Sequence, residues 1–576
     1  MVDRYSEWLG DPNIDDETKA ELLSIANNPK EIEDRFYKDL EFGTGGLRGI
    51  LGAGTNRLNV YTIRKATQGL ASYIAGSSAY KPGMGVVIAH DCRRMSPEFC
   101  VEAALVLNAN GIKTYVFDSL RPTPLLSFAV RELGCIAGIV ITASHNPPEY
   151  NGYKVYWSDG GQCTYPRDEA IIGQVQDVRN FDMVKNMPLK QAKAAGLFNI
   201  APPSIDDMYI KQVKAQMINQ SITNSTDLRI VYTPLHGAGS VSVQRALKEA
   251  GFANVYVVKE QEEPDGNFPT VKSPNPEEME AFTMAIKLAG ECAADIVIAT
   301  DPDCDRVGVA VKDAGGYKLL SGNMIGVILT EYILTQRMGK LRLEEDGVVV
   351  STVVSTNMTR LIAQAHGIEY VEVLTGFKYI GEKIKQFEEA GNRSFIFGFE
   401  ESYGYLTGTY TRDKDAVAAT LLICEAAAFY AAQGRNLYQQ LQKLYKMYGL
   451  HREHVESITL KGVDGIANIS KIMNNLRDNP PFLLGDAPIT EVRDYKSRIV
   501  VSIASGQTGS TNLPVSDVVY FATGRSSWAC IRPSGTEPKI KIYYGVYMPA
   551  DATEEEADKK LIAMATSLRA TIEEML

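Results

Sequence analysis

The chain has 576 residues, 45% of them hydrophobic and 22% charged, with a formal net charge of −11. Its length suits three to five domains of roughly 100–200 residues each, and its composition excludes a disordered chain. The acidic balance excludes a global nucleic-acid binder, so an anionic ligand must be held by a local cluster of Arg, Lys and backbone N–H groups.

Residues 1–40 predict an appended helical segment. Asp15, Asp16 and Glu17 place negative charge at a helix start, and Asn27-Asn28-Pro29 divides the segment into two helices. Leu22, Leu23, Ile25, Ile32, Phe36 and Leu40 supply an apolar stripe. Met1–Gly10 offers no signal peptide. Next comes Phe42-Gly-Thr-Gly-Gly-Leu-Arg48-Gly, ahead of a helix starting near Thr62. Its glycines allow close backbone approach to an anion, and Arg48 can grip phosphate in a bidentate way. An ordinary turn reads equally well from the residues alone.

A pattern of short β-branched runs alternating with helical stretches then recurs three times. The runs are 86–90, 114–118 and 137–142; 230–234, 255–260 and 295–300; and 348–353, 370–376 and 395–400. Strands apolar on both faces, alternating with helices, predict α/β structure. The fold class is three similar mixed-sheet α/β domains in tandem plus a C-terminal α+β domain, around a central cleft. The expected domains are 1–203, 204–320, 321–452 and 453–576. The last combines long helices, a polar middle, short strands and a final helix. The apolar stretch Ala416–Ala432 carries Glu425 in its middle and is too short to span a bilayer. It predicts a buried helix, and no membrane partner is expected. The 8 cysteines are scattered without a C-x-x-C pair, which points to a reducing, cytoplasmic setting.

Each triplet of strands ends in a loop of unusual chemistry, where α/β sheets gather ligands. Asp301, Asp303 and Asp305 follow a buried run at alternate positions. Three such carboxylates repel one another unless a cation neutralises them, and an all-oxygen set suits Mg²⁺. An EF-hand does not fit, because Arg306 and Lys312 occupy the positions that need Gly and Glu. The alternative is a solvated acidic turn. Ser144, at the end of the run AGIVIT, is either a turn residue or a nucleophile. His145 beside it is a proton shuttle or a structural histidine. Lys154 falls in the next strand-like run and could face the same place. Arg412 and Lys414 precede the Ala-rich helix, where charges also serve as caps. Arg532-Pro-Ser-Gly-Thr-Glu-Pro-Lys539 offers a guanidinium, hydroxyls and free N–H groups, a plausible phosphate cradle.

The four motifs TASHNP, DPDCDR, FEES and RPSGTEP, in this order across the chain, resemble the α-D-phosphohexomutase superfamily, the phosphoglucomutase and phosphomannomutase enzymes. Phe399 before the Glu-Glu-Ser and the helical extension before FGTGGLRG resemble a subgroup that includes phosphoglucomutases, phosphopentomutases and glucose-1,6-bisphosphate synthases. The resemblance implies a phosphoserine at Ser144 that, with Asp301, Asp303 and Asp305, holds Mg²⁺. It implies that Arg48 and Arg306 steady the phosphoryl group, and that His145, Lys154 and Lys414 are candidate acid/base groups. Glu400 and Ser402 would bind sugar hydroxyls, and Arg412 would bind the substrate with them. Thr375, Gly376 and Lys378 would help select the sugar. Arg532, Ser534, Gly535 and Thr536 would hold the non-reacting phosphate. The implied activity interconverts glucose 1-phosphate and glucose 6-phosphate, primed by glucose 1,6-bisphosphate. A phosphatase and a non-catalytic phosphosugar sensor are the rival readings, and nothing in the residues fixes monomer or dimer.

Overall fold

The computed structural model describes residues 2–43, 46–340, 344–460, 465–524, 527–534 and 539–575. The chain forms two compact units. One comprises Met1–Leu319, Ile380–Gly391 and Tyr403–Ala432; the other comprises Leu320–Tyr379, Asn392–Ser402 and Gln433–Leu576.

The first unit opens with three short helices, Val2–Gly10, Asp16–Ser24 and Pro29–Phe36, where the sequence predicted two. The extra helix, Val2–Gly10, is 9 residues long and precedes the apolar stripe that starts at Leu22. It is held by Trp8, whose ring meets Phe36, Tyr61 and Phe181 edge-on at 5.5–5.8 Å. Asp15 caps the second helix by accepting the Thr18 N–H, as its acidic start suggested.

A six-stranded sheet follows, in the order Leu47–Ile50, Tyr150–Trp157, Ala137–Ile141, Gly85–His90, Lys113–Val116 and Phe198–Ile200. The last four run parallel, and Tyr150–Trp157 and Leu47–Ile50 add antiparallel ladders at one edge. The second sheet repeats the scheme. Arg229–Thr233 lies between the parallel strands Asn254–Val257 and Ile296–Thr300, and Val307–Asp313 pairs antiparallel beyond the last. The inner strands of both sheets are buried along nearly their whole length, which is why they read as continuous apolar runs.

The helix Ala416–Ala431 is buried at almost every position, and Asp415 caps it through the Ala418 N–H at 3.0 Å. Its internal charge has a local cause: the Glu425 carboxylate accepts the backbone N–H groups of Ile218 at 3.1 Å and Asn219 at 2.7 Å. Among the described residues no helix is long and apolar enough to cross a membrane.

In the second unit, Gly347–Thr352 lies between the parallel strands Glu369–Val373 and Ser394–Glu400, the same central pattern a third time. The C-terminal part is more β-rich than the sequence suggested. In place of long helices stands one helix, Gly465–Asp478, ahead of an antiparallel sheet closed by the helix Glu554–Glu574. The strand Leu450–Thr459 pairs over ten positions with Lys539–Met548. It was hidden in the sequence because most of its residues are polar and only its first two are buried. A shared core of Val353, Leu374, Tyr495, Tyr520, Trp528 and Tyr543 joins the C-terminal sheet to the third α/β module.

Candidate active site

Ser144 sits one turn past the buried strand Ala137–Ile141, with a left-handed backbone (φ 51°) and 2% exposure. Its Oγ donates to Asp301 Oδ2 at 2.6 Å and lies 3.3 Å from His145 Nδ1. The sequence separates these loops by more than 150 residues, and the fold brings them together because each caps the third strand of its own sheet. Asp301, Asp303 and Asp305 are all buried, and their carboxylate oxygens lie within 4.8 Å of one another. Asp301 Oδ1 accepts the backbone N–H groups of Asp305 and Arg306, at 3.1 and 2.9 Å, which folds the loop tightly enough to place all three acids on one side.

Two lysines face the trio. Lys154, on the strand Tyr150–Trp157, donates to Asp303 Oδ2 at 2.8 Å and Asp305 Oδ2 at 3.3 Å. Lys414 lies 3.1 Å from Asp305 Oδ2 and 3.3 Å from Asp413 Oδ1. Arg48 Nη1 donates to Asn146 Oδ1 at 3.0 Å, on the Ser144 loop itself. Arg306 pairs with Glu277. Arg412 goes elsewhere. Its buried guanidinium is spent on Glu388, on the helix Phe377–Ala390, and on the carbonyls of Thr409 and Thr411 in its own loop.

Four residues that sequence reasoning missed frame the serine and aspartate loops. Thr142 Oγ1 donates to Asp91 Oδ2 at 2.6 Å and accepts the Ser144 N–H at 2.8 Å. Arg93, buried beside Asp91, donates to the carbonyls of Ser144 at 2.6 Å, Pro147 at 2.8 Å and Tyr150 at 2.9 Å, and also to that of Asn146. Thr123 Oγ1 donates to Asp303 Oδ2 at 2.9 Å. The available signal was the position of Asp91 and Arg93, directly after the buried strand Gly85–His90.

In the second unit, Glu400 is buried at the end of Ser394–Glu400 and accepts the Gly376 N–H at 2.7 Å. Gly376 adopts φ 121°, a region that disfavours a side chain, so this close contact requires glycine. Thr375 Oγ1 is buried without a hydrogen-bond partner. Lys378 lies over the Tyr379 ring at 5.2 Å. Ser402 and Arg532 are half-buried, and Ser534 donates its N–H to Lys539 O at 2.7 Å. Gly535 and Thr536 lie outside the described residues.

Residues 39–181, 207–316 and 321–448 match, in order, alpha/beta/alpha domains I, II and III of phosphoglucomutase/phosphomannomutase. The chain belongs to the phosphoglucomutase/phosphomannomutase family. It is 38% identical over 524 residues to the phosphoglucomutase of Staphylococcus aureus strain MRSA252, covering 90% of this chain and 92% of that one; the strain USA300 protein matches equally. Two solved structures share the fold. A putative phosphomannomutase from Thermus thermophilus superposes with TM-score 0.66 at 22% identity, over 91% of this chain and 99% of that chain. The open form of the Paramecium phosphoprotein pp63/parafusin, a phosphoglucomutase, gives 0.67 at 16%, over 94% and 95%.

The electrostatics of this family member follow from the same contacts. Burial, and then the neighbouring Asp303 and Asp305, push the Asp301 carboxyl well above its usual range. Asp303 and Asp305 are held low despite burial, the first chiefly by Lys154 and the second by Lys414 and Lys154. Lys154 in turn is raised by Asp303 and Asp305 against the pull of burial, so it stays charged. His145 is pushed well down by burial and by Arg306 and Arg48, so it stays neutral. Asp303 Oδ1 and Asp305 Oδ1 are buried with no hydrogen-bond partner. Two orphaned carboxylate oxygens beside a third acid are a set that a hard divalent cation satisfies, so these residues fit Mg²⁺.

Proposed function

We propose that this chain is a phosphoglucomutase, interconverting glucose 1-phosphate and glucose 6-phosphate through a phosphoserine at Ser144 and a glucose 1,6-bisphosphate intermediate. The observation that carries this reading is the 2.6 Å approach of Ser144 Oγ to the buried acid trio. The 38% identity to curated phosphoglucomutases supports the sugar.

In the first half-reaction the P–Oγ bond breaks and a bond forms from phosphorus to a sugar hydroxyl oxygen, whose proton leaves while one proton reaches Ser144 Oγ. In the second the other phosphoryl group of the bisphosphate returns to Ser144: a sugar P–O bond breaks, P–Oγ forms, the sugar oxygen gains a proton and Ser144 Oγ loses one. His145 is neutral and within 3.3 Å of Oγ, so it is suited to hold that proton. Lys154 stays an ammonium and is better suited to charge stabilisation than to base catalysis. Lys414 shares Asp305 with it. Arg48 and Arg306 would steady the equatorial phosphoryl oxygens. A cation held by Asp301, Asp303 and Asp305 would neutralise phosphoryl charge as a Lewis acid. Phosphate-monoester chemistry demands enhancements up to about 10²¹-fold, so positioning and charge must supply most of the catalysis. Glu400, Ser402, Thr375, Gly376 and Lys378 are assigned to the sugar. Arg532, Ser534, Gly535 and Thr536 are assigned to the phosphate that is not reacting. We place the enzyme in the cytoplasm, with sugar phosphates as its partners, in keeping with its 8 scattered cysteines, none in a C-x-x-C pair.

The test is a coupled assay with glucose 1-phosphate, ribose 1-phosphate and mannose 1-phosphate in parallel, primed with bisphosphate and Mg²⁺. Glucose 1-phosphate should turn over fastest, and Ser144→Ala should lose its phosphoprotein signal and at least 10³-fold in kcat (roughly the scale of losing a nucleophile). Retained turnover in Ser144→Ala overturns the mechanism. Faster turnover of ribose 1-phosphate reassigns the sugar, and steady release of inorganic phosphate makes the chain a phosphatase.

A further inference from the structure

The match to domain I begins at residue 39, which leaves the N-terminal helices outside it. Those helices nevertheless reach the strand that carries Arg48. Leu47–Ile50 is the edge strand of its sheet, paired on one side only, with Arg48 opposite Gly152. The loop that follows it, up to the helix Val60–Gly76, is stapled to the extension at several points. Arg35, already paired with Glu31 at 2.8 Å and with Glu21, donates from Nη1 to the Ala53 carbonyl at 3.1 Å. Glu21 Oε1 accepts the N–H of the same residue at 3.1 Å, so both peptide groups of Ala53 are held by one ion pair. The Arg35 carbonyl accepts the Asn56 N–H at 2.9 Å, and Leu40 donates its N–H to Thr55 O at 2.7 Å.

At Gly54 the approach is close enough to dictate glycine. Gly54 adopts φ 130°, and a Cβ there would lie 2.8 Å from Arg35 O. A Cβ at Gly49, next to Arg48, would lie 2.9 Å from Leu40 Cδ1. The extension also has its own anchor, because Trp8 and Phe36 pack against Tyr61 and one another rather than floating free. An edge strand with one free side has few constraints of its own. Here a buried aromatic cluster and an ion pair supply the missing ones.

We propose that Arg35 and Glu21 are positioning residues that fix Arg48 against the Ser144 loop. This rests on the phosphoryl-steadying role given to Arg48 above. The pair touches neither substrate nor reacting atoms. It acts by holding Ala53, and through it the strand on which Arg48 is mounted, so that the guanidinium meets the Asn146 side chain at 3.0 Å.

The test is a double-mutant cycle of Arg35→Ala and Arg48→Ala, read as kcat and KM for glucose 1-phosphate, together with amide exchange of residues 47–54. Arg35→Ala should lower kcat about 10-fold with KM within about twofold, in line with the cost of a misplaced catalytic group. In the Arg48→Ala background the same change should have almost no further effect. Exchange of residues 47–54 should accelerate at least about tenfold. If Arg35→Ala lowers kcat by the same factor in both backgrounds, or leaves exchange at 47–54 unchanged, the proposal is overturned. If Arg35→Ala does not fold, Glu21→Gln removes the ion pair while keeping an acceptor for Ala53, and the same criteria apply. An inactive wild type overturns the proposed function, while the exchange measurement still decides whether Arg35 holds the strand.

Discussion

Thr142→Val removes one hydroxyl and almost nothing else, which makes it a sharp probe of how Ser144 is presented. Thr142 is 1% exposed, and valine has nearly its shape. Two hydrogen bonds disappear: the 2.6 Å donation to Asp91 Oδ2 and the 2.8 Å acceptance of the Ser144 N–H. A bond to a charged acceptor is worth about 1.5–3 kcal/mol, and an orphaned buried N–H costs about 1–3 kcal/mol. Asp91 keeps its bonds from Ser96 Oγ at 3.0 Å and the Arg93 N–H at 2.9 Å, so its own loss is partial. The net expectation is a stability loss of about 3 kcal/mol. Because Ser144 holds a left-handed backbone that only its surroundings enforce, the loop should also drift, and a displacement near 1 Å costs about 10²-fold in kcat. KM should stay nearly constant, since Thr142 is not assigned to the substrate. Urea titration gives the stability, and the coupled assay gives kcat and KM. Thr142→Ser restores the hydroxyl and should recover most of both. Equal losses in the Val and Ser variants would refute the hydroxyl relay, as would a Val variant whose kcat stays within twofold of wild type.

Mg²⁺ should raise Tm, by an amount equivalent to about 2.7 kcal/mol at a hundredfold excess over Kd; EDTA should reverse the shift and Asp303→Asn should abolish it, and calorimetry that finds no shift in the wild type would remove the trio as a cation site. Glu453 supplies a test of pH dependence. Desolvation at its half-buried place pushes its carboxyl up to about 7, against hydrogen bonds from Thr356 and Asn323 and the charge of Arg452. A raised carboxyl stabilises the fold fully below its unfolded value near 4.5, and that contribution is lost as pH rises toward 7. Glu453→Gln should therefore gain stability relative to wild type by about 3 kcal/mol more at pH 8 than at pH 4.5. Denaturation midpoints that shift equally at both pH values would show that Glu453 ionises normally in the fold.

The parts of the fold legible in the sequence were those buried on both faces. Runs such as 86–90, 137–142 and 295–300 carry no polar alternation, because helices or neighbouring layers cover both sides of their sheets. Edge elements were harder. Leu47–Ile50 looked like part of a glycine-rich loop, since an edge strand with one exposed residue and a glycine leaves no apolar run. Leu450–Thr459, at the start of a stretch expected to hold long helices, was hidden because most of its residues are polar. Around the site, residues with distinctive chemistry at strand ends could be singled out, and the structure gathers Ser144, Lys154, Lys414 and the three aspartates as one group. Supporting residues could not be singled out, because Thr142, Asp91 and Arg93 matter only through partners some 50 residues away. Arg412, read from the sequence as a substrate-binding residue, stands in the structure as a buried guanidinium paired with Glu388.

The distribution of charge explains how so acidic a chain can handle phosphate. The three buried aspartates do not simply add negative potential, since Lys154 and Lys414 are drawn onto Asp303 and Asp305, and Lys154 is kept protonated there. Burying those lysines without the acids would push their basicity down, and burying the acids without the lysines would leave them protonated. The pairing therefore keeps both signs ionised in a place water barely reaches. A phosphate on Ser144 would bring about −1.5 to −2 charges to within reach of Asp301, an excess that the lysines, already committed to carboxylates, cannot offset alone. The two unpartnered oxygens of Asp303 and Asp305 are where an added cation can restore balance. Acids that look hostile to a phosphoserine would thus be the feature that lets the site accept one, because they would supply the ligands for the charge that neutralises it.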